Sequence, residues 1–123
     1  MLGGWSIWLV AMLAVVLAPA AQRHYGWSDY DVSRAITLDG VVEAIAIDAS
    51  FVELCLRVGA ISWTVLLPSS AVLARCGKPV GAIAPGDRLI AVGFVARAGD
   101  RQLRAARITH DGRTVDLNLA AFA

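Results

Sequence analysis

The sequence predicts an all-β domain: an OB-like β-barrel of five to six strands, with one short helix between strands 3 and 4 and a hydrophobic signal helix ahead of it. Three observations predict it. From Ile36 onward apolar residues recur largely with period two, the mark of half-buried strands. Turn signals at Gly59-Ala60, Pro85-Gly86-Asp87 and Asp111-Gly112 cut those runs into strand lengths. One capped helical stretch follows the third run, and that order fits an OB-like barrel; an open β-sandwich of similar size is the alternative.

The 123 residues suffice for one domain. Residues 1–21 carry no charged side chain, and Leu9 to Ala18 has the length and apolar character of a signal-peptide core. Ala18-Pro19-Ala20 supplies the small-x-small pattern of a cleavage site. The expectation is a cleaved signal peptide and a periplasmic or secreted domain. The alternative is an inner-membrane anchor formed by residues 2–21, since the run approaches the roughly 20 residues that span a bilayer. Residues 22–35 form a polar-aromatic lead-in, and residues 36–119 form the barrel domain.

Within the barrel, Ile36, Leu38, Val41, Val42, Ile45 and Ile47 read as one long strand, which Gly40 interrupts where a strand bends or bulges. Val52, Leu54, Leu56 and Val58 alternate with Glu53, Cys55 and Arg57 to give the second strand. Ile61 to Leu67 is the third, ended by Pro68. Ser69 or Ser70 caps a helix that Cys76-Gly77 closes. Residues 79–86 read as loop. Leu89 to Val95, Gln102 to Thr109 and Arg113 to Leu117 complete the strands, the last two joined by the Asp-Gly hairpin.

His24-Tyr25-Gly26-Trp27, Thr37-Leu38-Asp39-Gly40-Val41, Trp63-Thr64-Val65-Leu66-Leu67-Pro68, Pro85-Gly86-Asp87 and Asp111-Gly112-Arg113 follow one another in that order. In this series the chain resembles a family of small exported bacterial proteins of unknown function, which begin with a His-His-Gly-Trp-like motif and carry an OB-like β-barrel. The resemblance covers nearly all of the chain after the signal segment and implies that fold and an extracytoplasmic location. The chain departs from the pattern at Tyr25, where the family has its second His, and at Ala49-Ser50-Phe51, where relatives read Asn-Pro-His. Of those histidines only His24 is kept, and one imidazole does not make a three- or four-ligand site.

Eleven basic and ten acidic side chains leave the net charge near zero, so no global field points to nucleic acid or to a membrane surface. Catalysis finds little support. Ser28, Ser33 and Ser50 lack a Gly-x-Ser-x-Gly setting, Cys55 sits mid-strand, and Asp29 and Asp31 share a solvated environment that does not split their acidities. The expected function is therefore an exported, non-catalytic binding or accessory module with no required cofactor. Its partner is a small or anionic ligand or a cell-envelope protein, and not nucleic acid. Trp27 and Tyr30 are candidates for stacking on a ligand, and Arg97, Arg101, Arg104 and Arg107 for an anion-binding face.

A second function is periplasmic copper binding through His24. Cleavage after Ala21 would start the chain Gln22-Arg23-His24, and its amine, two amides and imidazole would suit square-planar Cu(II). Cleavage after Ala20 loses that chelate. Cys55 and Cys76 could pair outside the cytoplasm, for roughly 3 kcal/mol, or stay apart as thiols; strand alternation points Cys55 away from the core.

Overall fold

The computed structural model describes residues 29–98 and 101–117. The expected signal segment, His24, Trp27, Gly99, Asp100 and residues 118–123 lie outside the described residues. Six strands follow in chain order: β1 (Ile36–Ile47), β2 (Phe51–Val58), β3 (Ile61–Pro68), β4 (Arg88–Val95), β5 (Gln102–His110) and β6 (Arg113–Asp116). The helix α1 (Ser70–Cys76) and a single 3-10 turn (Val80–Ala82) lie between β3 and β4. The strands pair in the order β3-β2-β1-β4-β5-β6, and a parallel pairing of β3 with β5 closes the first five into a barrel. β6 adds a hairpin strand outside that closure.

Each element follows from its residues. β1 is long because it serves two neighbours: Ile36 to Val41 pair with β4, and Val41 to Ile47 pair with β2. Val52, Leu54 and Leu56 are buried while the residues between them face outward, as the alternation predicts. Ser69 caps α1 by accepting a 3.3 Å bond from the Val72 amide, and Gly77 ends it in the left-handed conformation at φ 99°. Asp111 (φ 52°) and Gly112 (φ 75°) both turn left-handed in the β5–β6 hairpin, the backbone that Asp-Gly favours there.

Two bulges bend the sheet into a barrel. The first falls between Val42 and Ala44, so Glu43 is the extra residue and not Gly40. Gly40 answers to a different constraint, because a Cβ there would collide with the Arg57 carbonyl as β2 crosses β1. The second bulge lies opposite Val92 and Gly93, and a Cβ on Gly93 would collide with the Arg104 carbonyl of β5. Both glycines therefore mark close approach of two backbones at a corner.

The interior is filled by side chains, with Leu54, Val65, Leu89, Leu103 and Ile108 fully buried. Leu73 from α1 and Ile83 after the 3-10 turn complete that core, each burial contributing roughly 1.5–3 kcal/mol. The end of the lead-in is built into the barrel as well. Tyr30 bridges Ala96 at the end of β4, is fully buried, and accepts a 2.6 Å hydrogen bond from the Gln102 side chain.

Candidate functional site

The arginines expected to share one face do not. Arg104 is 2% exposed. Arg107 lies on the outer side of β5 with Asp116 at 3.9 Å. Arg97 and Arg101 are exposed at the β4–β5 connection, away from Arg107. Tyr30 and Arg104 are buried and so offer no surface for a ligand, which corrects their assignment as binding residues. The cysteine pair is also resolved. Cys55 and Cys76 are free thiols: Cys55 faces outward to Glu43, at 3.5 Å, while Cys76 packs against the core from α1. Burial pushes both thiols up from their ordinary range, assisted at Cys55 by the bond to Glu43, which lowers the thiolate fraction of each.

The structure instead brings chemistry-bearing residues together on the outer face where β2, β1 and β4 lie side by side. Val41 stands in register with Arg57 on one side and with Arg88 on the other. In-register residues share a sheet face, so the two guanidiniums flank Val41. Asp39, two residues before Val41, accepts from Arg88 Nε at 3.0 Å and Nη2 at 2.6 Å. This bidentate bond holds the Asp39 carboxyl below the usual carboxylate range. Glu43, re-aimed by the bulge, accepts from Ser62 Oγ at 2.9 Å and from the Cys55 thiol, and lies 4.0 Å from Arg57 Nε. Asp39, Gly40, Val41, Arg57, Gly59 and Arg88 line a groove of about 370 Å³.

Arg88 also walls a second groove of about 380 Å³, with Ala82, Asp87, His110 and Asp111. A chain of polar groups runs inward from its edge. Asp87 Oδ2 lies 2.8 Å from His110 Nε2, and His110 Nδ1 lies 2.9 Å from Lys78 Nζ. Lys78 and His110 are 5% and 6% exposed. Lys78 also donates to the His110 carbonyl at 3.4 Å. A ring whose Nδ1 accepts from Lys78 has its Nε2–H free to donate to Asp87, and the two distances suit that arrangement. The bond from His110, with a 3.0 Å bond from the Ala84 amide, holds the Asp87 carboxyl below the usual carboxylate range.

Sequence reasoning missed this second cluster. Lys78 and Asp87 lie on either side of the 3-10 turn before β4 and His110 ends β5, and only the Pro-Gly-Asp turn points to one of them. Among the described residues no group of three or more His, Cys, Asp or Glu side chains is placed to hold a metal ion. What the outer face can do chemically is receive an oxyanion on guanidinium N–H groups. The Asp87–His110–Lys78 chain, buried at His110 and Lys78 and half-exposed at Asp87, ties the helix crossover to the start of β4 and the end of β5.

No curated protein matches this sequence. A family model matches residues 11–104, from ahead of the barrel into the first half of β5, and takes in Asp39, Arg57, Lys78, Asp87 and Arg88. On that match the chain belongs to DUF6152, a family of unknown function.

Proposed function

We propose that this chain is an exported, non-catalytic binding or accessory module that takes a small or anionic ligand, or a cell-envelope partner, on the outside of its barrel. The observation that carries the reading is the filled interior. Among the described residues the centre of the five-strand barrel is packed with leucine, valine and isoleucine, as in small barrels whose interior side chains fill. Recognition then falls to the outer face, where OB-like barrels bind. Export is supported by the uncharged, apolar residues 1–21 with their small-x-small ending and by the His24-Tyr25-Gly26-Trp27 likeness to exported bacterial chains.

The test is cell fractionation followed by intact and native mass measurement of the recovered protein, with and without Cu(II). A mass beginning at Ala21, in the periplasmic fraction and with a non-covalent molecule retained, is the expected result. A mass beginning at Gln22 with one copper that His24→Ala abolishes would replace the proposal with copper handling. Recovery of only the full-length chain in membranes would refute export as a free domain.

A further inference from the structure

We propose that the groove between Arg57 and Arg88 is an oxyanion site, built for a phosphate-type group of a small molecule or a lipid headgroup. The assignment rests on the binding-module reading above and names the chemistry of its ligand.

Four observations carry it. First, the register is direct: Arg57, Val41 and Arg88 stand side by side on three adjacent strands. Neighbouring strands are about 4.8 Å apart, so the two Cα atoms are separated by roughly 10 Å. Two arginine side chains rising from that spacing can converge on one tetrahedral anion above Val41.

Second, Arg88 is oriented in advance. Asp39 occupies its Nε–Nη2 edge through the two bonds already described. Those bonds leave Nη1 of the same guanidinium unengaged by Asp39, and Arg88 remains 72% exposed at its side chain. A carboxylate that fixes one edge of the fork lowers the ordering cost of using the other.

Third, Arg57 is held only loosely. Its Nε is 4.0 Å from Glu43, and Glu43 is already engaged by Ser62 and Cys55. The Arg57 head is therefore available to swing onto a ligand. Fourth, the groove walls include Gly40 and Gly59, which bring no side chain into the space, and Asp39 is its one acidic lining residue against two arginines. The groove itself is net positive in a chain whose overall charge is close to zero. Phosphate fits this arrangement better than a planar carboxylate, because its three or four oxygens can meet two separate guanidinium edges at once.

The experiment uses the exported chain, at constant ionic strength, with inorganic phosphate as the first probe and acetate as its planar counterpart. Amide resonances of Gly40, Gly59 and Val41 report binding. The expected result is a saturable shift with phosphate, weaker with acetate, whose affinity falls at least tenfold in Arg88→Gln and in Arg57→Gln. Val41→Glu, which places a carboxylate between the two arginines and leaves both intact, abolishes it. Arg107→Gln, on β5 and opposite Val92 rather than beside Val41, leaves it unchanged.

A second arm replaces phosphate with phosphatidylglycerol vesicles against phosphatidylcholine vesicles. Sedimentation with the former that Val41→Glu prevents assigns the oxyanion to a lipid headgroup; phosphate shifts without sedimentation assign it to a soluble ligand. No saturable shift and no sedimentation overturn the proposal, as does an equal loss in Arg107→Gln, which would mark diffuse charge attraction. If both arms fail while the protein recovered from cells still retains a bound molecule, the oxyanion assignment falls and the binding module stands.

Discussion

Replacing Lys78 with Met tests whether the polar chain clamps the crossover onto the barrel. Met keeps most of the apolar stem and removes the ammonium. The loss is then the 2.9 Å bond to His110 Nδ1 and the long 3.4 Å bond to the His110 carbonyl. With His110 only 6% exposed, its Nδ1 is left buried without a donor, which costs about 1–3 kcal/mol. The long bond to the carbonyl adds little. Relief of the burial cost of an ammonium that is 5% exposed returns part of the sum. The net expectation is a destabilisation of about 2 kcal/mol. In a domain of this size that lowers Tm by roughly 10 °C. Urea unfolding at neutral pH measures it, with the m value unchanged. A double-mutant cycle with His110→Phe should return a coupling of about 1 kcal/mol or more. A Lys78→Met protein within about 0.5 kcal/mol of the parent, or more stable than it, refutes the clamp. The ammonium would then be a tolerated buried charge.

Gly93→Ala drives a methyl into the Arg104 carbonyl and should cost about 3 kcal/mol by denaturant unfolding, whereas Gly81→Ala, which meets nothing nearby, should change stability by well under about 1 kcal/mol. Asp39 and Asp87 both have their carboxyls held below the ordinary range. Their contribution is therefore complete above the unfolded value near 3.8 and is lost as pH falls through the lower folded values. Stability plotted against pH should drop below about pH 4, and Asp87→Asn should flatten that drop. Ser69→Ala removes the helix cap and should cost about 1 kcal/mol. Both thiols should react slowly with a thiol reagent in the native protein and fully after unfolding, with no mass change on reduction; a gain of two hydrogens on reduction would contradict the free thiols of this structure.

The barrel is legible in the sequence because its determinants are local. Period-two burial in β2, the Ser69 and Gly77 caps and the Asp111-Gly112 hairpin each act within a few residues, so each can be read along the chain. Gly40 is readable as a special position, but its cause is not. The glycine answers to the Arg57 carbonyl of another strand, and the bulge it suggests belongs to Glu43. Residues 79–86 read as plain loop because the short 3-10 turn at Val80–Ala82 has no strong signal of its own. The arginines mislead because charge alone does not say which side of a strand is covered: Arg104 is buried although its neighbour Arg101 is exposed. The outer-face arginines are invisible for the opposite reason. Arg57 and Arg88 lie 31 positions apart in sequence, and only the shared register with Val41 makes them neighbours.

β5 meets β4 on one edge; on the other, its first half meets β3 and its second half meets β6. The nine residues of β5 are thus the keystone of the enclosure, and they follow all four other barrel strands in the chain. A polypeptide stopped at residue 101 could lay down the β1–β2–β3 meander and pair β1 with β4, yet would leave both β3 and β4 with bare edges and the interior open on one side. Such an intermediate exposes the strand edges along which chains aggregate. Closure of the barrel therefore waits on contacts distant in sequence, those of β5 with β3 and β4.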